Sequence, residues 1–384
     1  MYKRNFVFTA ACMGMLLFGV TLITLGAVVP GLKERFLLDE LATGALFSIL
    51  PLGILTGSFL FGPVCDKYGY KILLALACLF VFAGLMGIAF APSRGILQVC
   101  IYLFGAGGGA LNGATNAVMA DISPENKTAN LSLLGVFFGI GALGMPFLTG
   151  LLENRFSIQE IVSAVGVFTL ATALFTMLIR FPPPKQAQGF PLARSLRFIK
   201  DPLLILIAFF LFCQSSFEAI LNNWTTTYLG SRLSVSASHA LYALSLFVAG
   251  MTVMRLLYGT LFRGASLKHL LAASFILATG GSLLLGYGNS FSLALAGLIL
   301  LGAGLAGGFP IMLGVVGTLY KDLSATAFSF VLVIALVGNV LVNYGMGIIA
   351  YHYGVQHLIH LVFAEILIMT VLSVFILKKL KRLK

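Results

Sequence analysis

The chain has 384 residues, of which 59% are hydrophobic and 9% charged, and a formal net charge of +12. A soluble domain carries about 25% charged residues, and a water-soluble fold of this length could not cover its surface with so few. A soluble enzyme, a nucleic-acid binder and a disordered scaffold are thereby excluded, and the meaning of the charge rests on where the basic residues lie.

A membrane-spanning helix needs about 20 apolar residues. Twelve segments qualify: 6–30, 42–64, 72–91, 95–120, 130–152, 158–180, 203–229, 236–262, 267–288, 290–319, 324–350 and 356–377. Most exceed the minimum length, so tilted helices are expected. No alternating pattern supports a β-barrel. The first segment follows Lys3 and Arg4, but it is too long for a signal peptide and no small-residue cleavage site follows it. Residues 181–201 carry four prolines, three of them consecutive, and read as an extended linker. The expected fold is an all-α membrane protein with twelve transmembrane helices in two pseudo-symmetric six-helix bundles. The bundles are expected over 1–180 and 203–384, joined by a cytoplasmic linker over 181–202.

With the N-terminus placed in the cytoplasm, 19 of the 24 basic residues fall on the cytoplasmic side. The other five are Lys33, Arg35, Arg94, Arg155 and Arg232. Basic residues concentrate on the cytoplasmic side of membrane proteins, so a multi-pass protein of the cytoplasmic (inner) membrane is expected, with both termini inside. The C-terminal cluster Lys378, Lys379, Lys381, Arg382 and Lys384 suits anionic lipid. The five cysteines are odd in number and lack paired spacing, so small buried hydrophobes are expected rather than disulfides.

The two halves look related. At a gapless offset of 197, Leu103, Gly105, Ala106 and Gly107 match Leu300, Gly302, Ala303 and Gly304, and Ser132 and Gly141 match Ser329 and Gly338. Parallel six-helix repeats suit a transporter that rocks one half against the other, and small residues allow close helix contact in lipid.

Between the second and third segments stands Gly62-Pro63-Val64-Cys65-Asp66-Lys67-Tyr68-Gly69-Tyr70-Lys71. Gly69 suits a tight turn, and Asp66 can sit against the positive end of another helix. The stretch resembles the loop signature of the major facilitator superfamily, G-x-x-x-D-x-x-G-x-[RK]. That resemblance implies that Asp66 latches the halves on the cytoplasmic side, with Gly62, Gly69 and Lys71 in the same gate. A second copy around Gly259 to Lys268 keeps Arg263 but has no Asp. More narrowly, Phe212 to Leu229 (FCQSSFEAILNNWTTTYL), Asn116 to Lys127, Arg255 and Pro310 resemble the fucose–proton symporter and glucose/galactose permease branch. Arg255 joins the gating candidates on that likeness. The fucose symporter of that branch carries titrating acids in its first and fourth helices. Gly26 and Asn112 stand at those positions here, and neither titrates.

Few polar groups lie inside the expected spans. Glu218 is mid-helix, with Gln214 and Asn222 four residues to either side, so the three share a face. An acid at bilayer centre costs about 3 kcal/mol on insertion scales and normally faces a cavity or a partner. Glu218 is therefore the candidate for proton coupling and for accepting hydrogen bonds from a polar solute. The rival reading is a structural pair with a basic or amide partner. Asn112 and Asn116, and Asn343 with Asn339, repeat the four-residue spacing. Amides both donate and accept, which suits neutral polyols and equally suits helix-to-helix bonds. Trp224 and Tyr228 can stack on a sugar face or anchor at the interface. Glu365 on the last segment is expected to have a structural partner or an oligomer contact. His352, His357 and His360 lack the ligands of a metal site.

The expected function is a secondary transporter that moves a small polar solute, a sugar above all, by alternating access, with protons as the candidate coupling ion. The alternative is an efflux antiporter for amphipathic drugs or metabolites, faintly echoed by Gly141-x-x-Gly144-x-Pro146. No enzyme activity, cofactor, metal or nucleic acid is expected. The partners are the solute and the lipid bilayer, and the chain is expected to act as a monomer.

Overall fold

The computed structural model describes residues 2–38, 40–152, 155–184 and 197–382. Residues 185–196 of the expected linker lie outside the described residues. The chain folds into α1 (Arg4–Phe36), α2 (Glu40–Tyr68), α3 (Tyr70–Phe90), α4 (Arg94–Asp121), α5 (Lys127–Leu152) and α6 (Ile158–Leu178). There follow α7 (Pro202–Leu233), α8 (Ala237–Thr260), α9 (Leu267–Tyr287), α10 (Phe291–Leu305), α11 (Gly308–Leu319), α12 (Ser324–Tyr353) and α13 (Leu358–Arg382). Among the described residues, twelve spans are long and apolar enough to cross a membrane, with α10 and α11 together making the tenth.

Three elements differ from the expectation for a physical reason. α1 runs on to Phe36, where Leu37 takes a left-handed conformation (φ 49°). The guanidinium of Arg94 donates to the Phe36 and Leu37 carbonyls there, groups that no intrahelical N–H reaches. Arg35 does the same for Ala89 and Ala91 at the end of α3, at 2.7 Å each, and Arg232 for Leu285 in α9. Three of the five minority basic residues thus cap helix ends. Secondly, α2 continues through Tyr68, so Gly62 to Tyr68 is helix rather than loop. The turn is confined to Gly69, whose φ of +84° a side chain would strain. Thirdly, the expected 290–319 helix breaks at residues 306–307. Pro310 has no N–H and clashes with the carbonyl four residues back, but it is tolerated in a first turn. The chain accordingly ends one helix at Leu305 and starts another at Gly308.

By internal contacts the chain forms two compact units. The first comprises Met1–Glu125, Phe137–Ser195 and Gly317–Ser329. The second comprises Asn126–Val136, Leu196–Val316 and Phe330–Lys384. α5 and α12 each contribute their first turns to one unit and the remainder to the other.

Within each unit the helices cross at glycines, and the crossings repeat at the 197-residue offset. In the first, a Cβ built on Gly53 would lie 3.1 Å from Gly105 Cα, and one on Gly105 would lie 3.0 Å from Ile54 N. In the second, a Cβ on Gly250 would lie 3.1 Å from Ile299 Cα, and one on Gly302 would lie 2.9 Å from Met251 N. Gly107 meets Ala77 O at 2.6 Å, and its counterpart Gly304 meets Ser274 O at 2.8 Å. The partners Ile54 and Met251, and Ala77 and Ser274, match at the same offset, as do the Tyr102 and Ile299 carbonyls that face Gly53 and Gly250. In lipid, where burial of apolar surface gives helices no reason to associate, such close approach is what holds them.

Gly302→Val should therefore overpack the α8–α10 crossing and cost about 1–3 kcal/mol. Gly280→Ala, where nothing lies within 4 Å, should leave stability unchanged or raise it. Thermal unfolding of the purified variants in detergent, read by the loss of the monodisperse peak, checks both.

Candidate functional site

In the second unit α7 places Gln214 and Glu218 one helical turn apart. Gln214 Nε2 donates to Glu218 Oε1 at 2.7 Å and to the Leu305 carbonyl at 2.9 Å. That carbonyl belongs to the last turn of α10 and has lost its helical donor to the break. Gly308 is needed at the same point, because a Cβ there would collide with Gln214 Oε1. The break in the tenth span thus fixes the amide, and the amide fixes the acid. Arg255 of α8 completes the cluster, with Nη2 3.8 Å from Glu218 Oε1. It is 7% exposed, and its side chain runs past Gly135 of α5, where a Cβ would lie 2.8 Å from Cδ.

Asn222 points elsewhere. It is exposed, and its amide donates to the Glu218 backbone carbonyl at 2.8 Å rather than to the carboxylate. The expected three-residue stripe is therefore a pair, with the third place taken by Arg255. Trp224 forms a separate contact, its Nε1 donating to Asn343 Oδ1 on α12 at 2.8 Å. About 9 Å of helix separates it from Glu218. A void of about 10 Å³ between Gln214, Ser274 and the surrounding apolar side chains has room for about one water and for no solute.

In the first unit Asn116 Nδ2 donates to the Asn112 carbonyl at 2.8 Å and to its Oδ1 at 3.1 Å, so the two amides bind each other. Gly26 is exposed, with nothing within 4 Å. Asp66 is 1% exposed. Its Oδ2 accepts from Thr326 N at 2.9 Å and from Thr326 Oγ1 at 2.6 Å. Thr326 is the third residue of α12, so a carboxylate caps an N–H that the helix cannot satisfy itself. Gly62 gives the clearance, since a Cβ there would lie 2.7 Å from Ser329 Cβ. Pro63 adds a second contact. Its missing N–H leaves the Phe59 carbonyl without a helical partner, and Ser329 Oγ donates to that carbonyl at 2.9 Å and to Ser58 O at 2.6 Å. Gly69 caps α3, and Lys71 lies half-buried in its first turn.

The sequence reading missed Thr326, Ser329 and Asp121 as partners. Asp121 accepts from Tyr70 Oη at 2.6 Å and from Ser324 Oγ at 3.0 Å. Arg255 is the basic partner of Glu218 that the rival reading left unnamed, since in the sequence it counts with the cytoplasmic basic residues. The available signal was that a buried acid needs a partner. Glu365 is buried and accepts from Ser216 Oγ at 2.8 Å, a contact between α13 and α7. Among the described residues no group of three metal-ligating side chains occurs, and the five cysteines form no disulfide.

The family model of the Major Facilitator Superfamily matches residues 9–268. The chain belongs to that superfamily. FucP in its outward conformation has a similar structure, with a TM-score of 0.82 at 17% identity over 96% of this chain and 98% of that one. The proton:xylose symporter XylE bound to 6-bromo-6-deoxy-D-glucose gives 0.80 at 14% identity, over 98% and 95%. The human organic anion transporter MFSD10 gives 0.76 at 17%, over 96% and 100%. These likenesses carry the fold. Among curated relatives, a D-xylose transporter of Levilactobacillus brevis is 27% identical over 132 residues, 34% of this chain and 29% of that protein. The multi-drug resistance efflux pump PmrA of Streptococcus pneumoniae (strain TIGR4) is 26% identical over 169 residues, 43% of this chain and 42% of the pump. The inner membrane transport protein YdiN of Escherichia coli K12 is 23% identical over 274 residues, 68% and 64%. Each match spans less than two thirds of the relative's length. The chain is a multi-pass membrane protein of the major facilitator fold.

In this protein, Asp66→Ala should remove the α12 cap and cost roughly 1–2 kcal/mol. Thr326→Val should cost less, since the N–H remains, and the double variant should fall short of the sum. Chemical or thermal unfolding of the four proteins measures the coupling.

Proposed function

We propose that the transporter carries a small polar solute, a sugar in the first instance, across the cytoplasmic membrane by alternating access, coupled to protons through Glu218. The observation that carries this reading is the Gln214–Glu218–Arg255 cluster, a buried acid and cation with an amide between largely apolar helices. Charges at membrane depth are costly and mark solute or ion pathways. Trp224 with Asn343, and Asn112 with Asn116, are the further groups offered to a solute. The bundles over 1–180 and 203–384 move as the two rocking bodies, and the contact of Asp66 with α12 serves as a gate. The split of basic residues, 18 on the cytoplasmic side against five on the other once Arg255 is counted within α8, supports cytoplasmic termini. Sugar transport agrees with the likeness to FucP, XylE and the D-xylose transporter. The similarity to PmrA favours export of amphipathic compounds as the second reading.

The test is uptake of D-xylose, L-fucose and D-glucose into proteoliposomes under an imposed proton gradient. Gradient-driven uptake should fall at least about tenfold in Glu218→Gln while solute exchange without a gradient persists. Unchanged proton-driven uptake in that variant removes Glu218 from coupling. Extrusion of a dye with no sugar uptake favours the export reading.

A further inference from the structure

We infer that Arg255 anchors the carboxylate of a hydroxylated monocarboxylate solute, which crosses together with one proton carried on Glu218. This rests on the transport reading above and names its substrate class.

Arg255 is buried but poorly matched. Its Nη2 stands 3.8 Å from Glu218 Oε1, beyond hydrogen-bond range, and that oxygen already accepts from Gln214. Its Nε is buried without a partner. A guanidinium has five donors, and a buried charge is normally held by well-aligned hydrogen bonds. A planar carboxylate that takes the place of Glu218 can engage Nε and Nη2 of the fork bidentately. On α5, Ser132 lies one turn from Gly135, against which Arg255 packs, and its hydroxyl is also buried without a partner. It is a donor suited to a solute hydroxyl.

The internal repeat explains why these groups are left over. Ser132 corresponds to Ser329, whose hydroxyl is satisfied by the Ser58 and Phe59 carbonyls. In the second half the position of Ser58 is held by Arg255 and that of Pro63 by Thr260. Without the proline, the carbonyl of Leu256, the counterpart of Phe59, keeps its helical N–H and needs no serine. The place that closes a helix contact in the first unit holds a loosely paired cation and an unpartnered hydroxyl in the second.

Charge balance sets the proton. At rest Glu218 carboxylate and Arg255 guanidinium sum to zero. Among the described residues the charged side chain beside Glu218 is Arg255 on α8; α7 offers Gln214, which also bonds the Leu305 carbonyl of α10, and α5 brings the Gly135 backbone beside Arg255. Glu365 bonds Ser216, two residues away and so on the opposite face of α7. A second carboxylate entering this site keeps it neutral when Glu218 takes one proton from water on its oxygen. The solute carboxylate then replaces Glu218 as the partner of Arg255, and loss of the proton reverses the exchange.

The test is thermal unfolding and equilibrium binding of the purified full-length protein with D-gluconate and D-glucuronate against D-glucose and D-xylose. D-gluconate or D-glucuronate should bind, more weakly by about tenfold for each pH unit above the Glu218 titration. Glu218→Gln, which mimics the protonated acid, should bind the same anion with no pH dependence. Arg255→Gln should lose about a hundredfold in anion affinity. The pH profile of the unaltered protein decides the matter even where Arg255→Gln does not fold. Binding of the neutral sugars alone overturns the carboxylate assignment and leaves the polar-solute reading standing. Anion binding flat with pH overturns the proton. Binding by neither class overturns both.

Discussion

Lipid offers no hydrogen bond to a backbone carbonyl that has lost its helical N–H. That constraint organises both candidate sites. Pro63 strips the donor from Phe59 O, and Ser329 supplies one. The break after Leu305 strips the donor from Leu305 O, and Gln214 supplies one. In each case the side chain that repairs the backbone lies beside the chemistry-bearing residue. Ser329 is one turn along α12 from Thr326, which binds Asp66. Gln214 also bonds Glu218 directly. At helix ends Arg35, Arg94 and Arg232 donate to carbonyls in the same way. Proline and helix breaks here act as devices that create a fixed acceptor in a medium without water.

Close packing is the second constraint, and glycine answers it. The crossings of α2 with α4 and of α8 with α10 use the same offsets, so the repeat is visible in backbone contacts as well as in residue identity. The divergence is confined to chemistry placed on that frame. Asp66 corresponds to Arg263, Ser58 to Arg255 and Pro63 to Thr260. The first unit joins α2 to the start of α12 with an anion on a helix N-terminus. The second sets α8 against the start of α5 with a cation over a glycine.

The spans were legible because hydropathy over about 20 residues is a strong signal, and the glycine-rich L-x-G-A-G repeat pointed correctly to equivalent crossings. Gly69 was legible because a positive φ restricts residue choice. The continuation of α2 through Asp66 was hidden by Gly62-Pro63, which reads as a helix end but is tolerated because Ser329 satisfies the freed carbonyl. The break at 306–307 was hidden by unbroken hydropathy across Gly304 to Pro310. Spacing along one helix correctly paired Gln214 with Glu218 but misplaced Asn222, whose amide prefers the nearer backbone carbonyl. Arg255 lies 37 residues from Glu218, and no periodicity links residues on different helices.

A membrane acid is usually stabilised by one of two means, a helix N-terminus or a cation. This chain uses one in each unit, and the two differ in how readily they can be undone. Asp66 is held by two short bonds from a single residue, one of them from the backbone, an arrangement that rewards a fixed position. Glu218 has one short bond from an amide and a cation just out of hydrogen-bond range. Its ion pair gains little from geometry, so a competing carboxylate or a proton has little to displace. On the transport cycle proposed above, the well-made contact suits a gate that must hold. The loose one suits a group that must exchange partners on every cycle.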